Sequence, residues 1–568
     1  MIKKLYLPAA LATVAALSSC SSKLGALSAD NFTVIPSPLE AIGGQVPATI
    51  NGKFPEKYMK KKAVVTVTPV LKYNGGQAVG QSATFQGEKV EQNNQTISYL
   101  VGGHYTMKST YVYVPEMAKS DLYLTFDAKV GNKKVMIPEV KIAEGVVATS
   151  ELVKQTIASS NPSTAEDAFQ RVIQQKQEAN IKFLIQQANL RGSELKSADI
   201  AAFKAKLAEI NKDKEGRVLD NIEISAYASP DGSFKLNDKL AKDREKNTRK
   251  YLNSELKKTK MSADIDTKYT AEDWDGFQEI VAASNMQDKD LILRVLSMYQ
   301  DPEQREREIR NISVVYKNLA DEVLPQLRRS RMTINYEIVG RSDDEILAQF
   351  NDDASKLSVE EMLYAATLVD TDAEKNAIYK KTTELYPSDY RAYNNLAELA
   401  FRSGNTEKAE SYLKQAIAAN PSAPEANANL GLVALANGNI TAAETYLSKG
   451  SGASSLNEAL GNLYIAQGQY NRAATSFEGV KTNSAALSQI LTGDYAKAQQ
   501  TLAGVSKADA YTAYLAAIVA ARQNNESAVI SNLKTAISRD ASIAQRAAND
   551  IEFAQFAANS AFKAAINN

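Results

Sequence analysis

One phrase recurs in the last third of this chain, and it restricts the fold more than any other feature. From Tyr393, YNNLAELAFRSGNTEKAESYLKQAIAANP carries a Leu396-Ala397 pair, then Gly404, Ala409 and Pro421; from Asn429 the same order returns as Leu430-Gly431, Gly438 and Ala443. Ala397 and Gly431 stand 34 residues apart. Within each phrase the apolar residues fall at helical spacing, so each phrase predicts a helix, a glycine turn and a second helix. A helix pair of that size cannot bury its apolar stripe alone, so copies must stack into an all-α solenoid with a concave face. A third phrase, with Leu460-Gly461, Gly468, Ala473 and Phe477, follows after only 30 residues. Less regular units centre on Gly493-Asp494-Tyr495 with Ala498, and on Ala528 with Leu533. Another precedes them over 358–387, and a tail with Ile551, Phe553 and Phe556 has the pattern of a capping helix.

These phrases resemble the tetratricopeptide repeat. The resemblance assigns Leu396 and Ala397 to packing in a first helix, Gly404 to the turn, Ala409 to close helix approach and Pro421 to the end of the second helix. It implies an array over 341–568 that docks a protein partner, whose identity the residues do not name.

Residues 222–252, IEISAYASPDGSFKLNDKLAKDREKNTRKYL, carry a second pattern. Ile222, Ile224 and Ala226 alternate as in a half-buried strand, whereas Leu236, Leu240, Thr248, Tyr251 and Leu252 recur at helical spacing; the turn between them is Pro230-Asp231-Gly232-Ser233. Tyr227, Gly232, Ser233, Asn237, Leu240, Arg244, Tyr251 and Leu252 resemble the motif of the OmpA-like peptidoglycan-binding domain. The resemblance spans 178–340 and implies an α+β domain in which Arg244 and the position of Ser229 face one wall-peptide ligand, with Asn237 in the same motif. The family's aspartate is replaced here by Ser229. A guanidinium grips a carboxylate with two parallel hydrogen bonds, but a hydroxyl supplies no charge for an ammonium group. Asp231 is the nearby carboxylate that stands as its replacement. Ile181 onward reads as the first strand, Ile200, Phe203, Leu207 and Ile210 as the first helix, and Met332, Ile334, Tyr336 and Ile338 as the last strand. An insertion at about 269–327 reads as helical, with Ile309, Ile312, Tyr316, Leu319 and Val323 at core spacing.

The opening residues, MIKKLYLPAALATVAALSSC, combine Lys3 and Lys4 with an apolar run too short to span a bilayer, as a signal peptide (1–19) does. Leu17-Ser18-Ser19-Cys20 resembles a bacterial lipobox, which implies lipid attachment at Cys20. This is the only cysteine, so no internal disulfide competes for it. Ser21, Ser22 and Lys23 carry no acidic residue, from which the expected address is the outer membrane, facing the periplasm.

Residues 20–150 hold strand-like runs beginning at Ala63, Thr96, Ser109, Asp121 and Lys133, separated by turns such as Gly75-Gly76 and Gly102-Gly103, and predict a β-sandwich. Residues 151–177 read as a helical linker. Lys plus Arg and Asp plus Glu are both 66, so charge gives no case for nucleic acid. His104 is the only histidine, which leaves no His-His metal cluster and no Ser-His-Asp triad, and no nucleophile elbow is present. Adjacent acidic pairs such as Asp352-Asp353 and Glu360-Glu361 point to different sides of an element rather than flanking one bond. The expected function is therefore non-enzymatic, with no cofactor and no metal. The chain reads as an envelope tether and scaffold that contacts peptidoglycan and a protein partner. Its alternative is an assembly factor of a secretion, gliding or surface-fibre system whose OmpA-like domain has lost wall binding.

Overall fold

The computed structural model describes residues 24–286, 288–311, 317 and 319–567. The lipobox with Cys20, and Ile312 and Tyr316 of the insertion, lie outside the described residues. The chain divides into two compact units, one made of Met1–Asp167 with Val369–Asn568 and the other of Ala168–Leu368. Among the described residues no helix is long and apolar enough to cross a membrane.

The first unit begins β-rich. Phe32–Ile35, Gln45–Phe54 and Gly103–Val112 form one sheet; the second is built on Ala63–Tyr73 and Ser120–Val130, with Val140–Gly145 and Ala83–Gly87 flanking that pair. Strict alternation sends Val46, Ala48 and Ile50, Val65, Val67 and Leu71, and Leu122 and Leu124 into one shared core. Each large apolar side chain buried there contributes about 1.5–3 kcal/mol. The runs expected at Ala63 and Asp121 fall in strands; the run at Ser109 is strand to Val112, that at Lys133 is split into Lys133–Val135 and Val140–Gly145, and that at Thr96 is strand only over Gln95–Ile97. Strand Gln45–Phe54 lies outside the strand-like runs read from the sequence, and it contains Pro47 and Gly52. Pro47 lies beyond the stretch that Phe32–Ile35 pairs, and Gly52 lets the Tyr105 ring lie over the backbone, where a Cβ would stand 2.2 Å from it. His104 is an exposed strand residue opposite Lys53.

The predicted helical linker differs from what forms. Helix is confined to Val153–Thr156, with tight turns at Thr149–Leu152 and Ile157–Ser159 on either side. Beyond Ser160 the chain is extended; Pro162 disfavours helix, and side chains elsewhere in the unit take up the backbone groups.

In the second unit a four-stranded sheet runs in the order Val172–Lys182, Arg329–Val339, Arg217–Tyr227, Asp264–Thr270, with only the last pair parallel. Helix Ala198–Lys212 buries Ile200, Phe203, Leu207 and Ile210, and helix Phe234–Thr259 buries Leu252 and Leu256 in the same core as Ile222, Ile224, Met332 and Ile334. The first strand begins earlier than the sequence suggests, since its Gln and Lys residues belong to a solvated edge. The insertion forms Trp274–Ala283, Lys289–Met298 and Pro302–Asn311, which with Ile309, Leu319 and Val323 enclose a separate small core.

The helical part of the first unit opens with Asp372–Leu385 and continues as hairpins: Tyr390–Arg402 with Thr406–Ala419, Pro424–Ala436 with Ile440–Leu447, and Leu456–Ala466 with Tyr470–Ser476. Asn483–Thr492 with Tyr495–Ala503 and Ala510–Arg522 with Glu526–Arg539 follow. Gly404, Gly438, Gly468 and Gly493 all have positive φ between the two helices of a pair, which explains the recurring glycine. Ala409, Ala443 and Ala473 are fully buried. Gly431 and Gly461 are packing glycines, since a Cβ there would meet Leu447 at 2.4 Å and Phe477 at 2.5 Å. Phe553, Phe556 and Phe562 close the last core.

Candidate functional site

Asparagine is a poor helix-interior residue, and a buried amide must find partners. Yet Asn394 and Asn395, Asn429 and Asn462 sit inside the first helices of three successive pairs and are buried. Their partners come from residues 156–167 of the same unit. Ser163 donates its backbone N–H to Asn429 Oδ1 (2.7 Å), and Asn429 Nδ2 donates back to the Ser163 carbonyl (2.8 Å). Asn395 treats Ala165 in the same way, at 2.8 and 2.9 Å. Asn394 adds a donor to the Ser163 carbonyl at 2.9 Å, and Asn429 Nδ2 also reaches Asn394 Oδ1 at 2.9 Å.

The contacts continue toward the later repeats as the segment is followed backwards. Glu458 accepts both the backbone N–H and the Nδ2 of Asn161, at 2.9 and 3.1 Å, and Asn462 Nδ2 donates to Ser160 Oγ at 3.0 Å. The Asn483 backbone N–H donates to Ser159 Oγ, and Ser484 Oγ lies 2.9 Å from Thr156 Oγ1. From Ala165 through Ser163 to Asn161 and Ser160 the segment therefore runs antiparallel to the array and advances two to three residues per repeat. At about 3.3 Å per extended residue that step matches the roughly 8–10 Å between packed helices. Burial raises the Glu458 carboxyl above its ordinary value, against the Asn161 donors and the Ser160 hydroxyl that favour its charged form.

None of the repeat-signature residues makes these contacts. Gly404, Gly431, Gly438, Gly461 and Gly468, with Ala409, Ala443 and Ala473, serve turns and helix packing, and the Pro421 carbonyl accepts from Asn427 Nδ2. The groove residues went unread in the sequence. Their signal is an asparagine beside the Leu-Ala or Leu-Gly pair, as in Asn395-Leu396, Asn429-Leu430 and Gly461-Asn462.

In the second unit, the turn after strand Arg217–Tyr227 brings Ser229 and Asp231 beside the helix that carries Asn237 and Arg244. Arg244 is 1 % exposed, lies over the Phe183 ring, and donates to the carbonyls of Tyr227 (2.8 Å), Gln187 (3.0 Å) and Leu184 (3.5 Å). Burial pulls its guanidinium down to about 10, with the Arg328 charge acting the same way and Asp231 opposing it. Asp231 accepts from Arg328 at 2.8 Å, and Arg328 Nε reaches Ser229 Oγ at 3.2 Å. The Asp231 carboxylate also takes the Ser229 hydroxyl, and Asn237 Nδ2 donates to the Gly232 carbonyl at 3.0 Å. The four residues are thus gathered, and each side chain makes at least one hydrogen bond to a group of the unit itself.

Comparison with known proteins supports the repeats. The tetratricopeptide repeat family matches residues 376–424 and 394–455. Similar solved structures include a tetratricopeptide repeat protein from Parabacteroides merdae, 19% identical over 35% of this chain and 85% of that one, with a TM-score of 0.27. The pilF protein of Pseudomonas aeruginosa is 15% identical over 38% of this chain and 96% of that one, with a TM-score of 0.26. Yeast Tom70 is 11% identical over 58% and 78%, with a TM-score of 0.24. Comparison with curated proteins gave no match. Residues 376–455 of this helical region are therefore tetratricopeptide repeats, a repeat type that implies a protein-interaction scaffold.

Proposed function

We propose that this chain is a non-enzymatic scaffold, anchored by a lipid on Cys20 to the outer membrane and facing the periplasm, whose repeats hold extended polypeptide. One observation carries the scaffold reading: buried amides from successive repeats bond both backbone groups of an extended segment, which is how a strand is recognised. The lipobox pattern and the lone cysteine support the anchor. Co-purification from detergent-solubilised membranes tests the scaffold; recovery of the chain alone under gentle extraction counts against it. Cys20→Ala should release the chain into the periplasm without labelled fatty acid, and protease added to intact cells should spare the parent.

The gathering of Ser229, Asp231, Asn237 and Arg244 favours a second reading, in which the OmpA-like domain touches peptidoglycan. Arg328 occupies the Asp231 carboxylate, so a ligand's ammonium group has to displace a guanidinium. Sedimentation of the full chain with purified sacculi distinguishes the two readings of this domain. Pelleting supports wall contact, and a chain left in the supernatant supports an assembly factor of a secretion, gliding or surface-fibre system that kept the fold without the ligand.

A further inference from the structure

The repeat groove is filled, and its occupant is part of the same chain. The backbone N–H groups of Asn161, Ser163 and Ala165 all donate to side chains of the array, and the Ser163 and Ala165 carbonyls accept from it. Recognition therefore uses the main chain at Asn161, Ser163 and Ala165, with polar side chains of Ser160, Ser163 and Thr164 adding bonds to the array. Ser160, Pro162, Ser163 and Ala165 are small and buried, and Ile157 upstream is buried in the repeat core, whereas Asn161 and Thr164 are exposed and reach Glu458 and Glu398 from the edge. Ser163 is 0 % exposed, so this position excludes a larger residue. A site of this kind reads two things: extended backbone, and small uncharged residues where the chain faces the helices.

We propose that residues 160–167 are a tethered ligand that holds the concave face shut, and that the face is a site for an extended, uncharged, small-residue segment of a partner protein. This rests on the scaffold reading above. A tethered segment competes at an effective concentration of about millimolar, so a free peptide at micromolar concentration finds the groove closed until the internal segment is weakened. The pairing by Asn395 and Asn429 is the same for either occupant, because both present backbone.

The test uses the full-length chain and a fluorescein-labelled peptide with the sequence of residues 157–167, IASSNPSTAED. Ser163→Arg places a long cation where no side-chain space exists and should release the internal segment. Peptide affinity, read by anisotropy, should then rise by about tenfold or more over the parent chain. Adding Asn395→Ala and Asn429→Ala to Ser163→Arg should remove that binding. Three results overturn the proposal: equal binding to parent and Ser163→Arg, no binding to a folded Ser163→Arg chain, or binding that survives loss of both asparagines. Unfolding of the repeats in Ser163→Arg also counts against it, since a segment the repeats need in order to fold is not a displaceable ligand. A chain that gains peptide binding yet recovers no partner from membranes keeps this inference and loses the scaffold reading. A partner recovered without any gain in peptide binding does the reverse.

Discussion

The side chain of Asn429 pairs with the backbone of Ser163 as one strand pairs with another, accepting its N–H at 2.7 Å and donating to its carbonyl at 2.8 Å. The two residues are 266 positions apart in sequence, and both are buried. Asn394 also donates to that carbonyl, so the N–H is the group that depends on Asn429 alone.

Asn429→Ala should therefore leave the Ser163 amide buried without an acceptor and cost about 1–3 kcal/mol. Denaturant unfolding of the full chain measures the loss, and hydrogen exchange should show the Ser163 amide deprotected while Ala165, held by Asn395, stays slow. Unchanged protection at Ser163 would remove the pairing from the account.

Gly461 stands where a methyl group would come 2.5 Å from the Phe477 ring. Gly461→Ala should destabilise the repeats by about 1–3 kcal/mol through overpacking. Phe477→Leu should recover part of that loss when combined with it, so a double-mutant cycle should show coupling between the two positions. Strictly additive effects would mean that the glycine serves something other than the ring.

Glu458 gives the repeats a pH dependence of definite sign. Burial raises its folded-state pKa above the ordinary 4.5, so the folded chain keeps a proton that the unfolded chain has already released. That contribution is fully present below 4.5 and is lost as pH rises through the raised value. Glu458→Gln cannot titrate. The stability of the parent relative to this variant should consequently be greater at acidic than at alkaline pH, as measured by denaturant unfolding across the range. A flat difference, or one that grows toward high pH, contradicts it.

Arg244 separates a structural guanidinium from a free one. Its donors go to the carbonyls of Tyr227, Gln187 and Leu184, so Arg244→Ala should leave buried acceptors unpaired as well as a hole. The expected cost is about 3 kcal/mol in the second unit. If Arg244→Ala melts like the parent, the side chain is available to a ligand, and a binding defect in that variant can be read directly.

Periodic features were legible and directional ones were not. The helix pairs from Tyr390 onward, the core positions of the helix Ala198–Lys212 and the final strand Arg329–Val339 follow from spacing alone, because burial imposes the period. Strand Gln45–Phe54 carries a proline and a glycine that local propensity disfavours in strands, and the place of the glycine is set by the Tyr105 ring, which no local pattern announces. The groove escaped for a related reason. Asn395 and Asn429 look like ordinary polar helix residues until Ser163 and Ala165 are seen against them, and no local pattern joins residues more than two hundred positions apart. In the candidate cleft, Arg244 and Asp231 were legible as neighbours through the strand-turn-helix order. Arg328, which takes up the Asp231 carboxylate, comes from 97 residues further on and carries no local mark.

That separation also sets an order of events during synthesis. Ala165 leaves the ribosome 230 residues before Asn395, which at about 5–20 residues per second is a wait of roughly ten to fifty seconds. Through that interval the segment has no groove to enter. From Ser159 to Thr164 its composition suits the delay: serine, asparagine, proline and threonine leave little apolar surface for a nascent chain to aggregate through, and Pro162 disfavours a helix or a central strand there. The segment is thus synthesised well before the groove that receives it, and it can enter only after the repeats have formed.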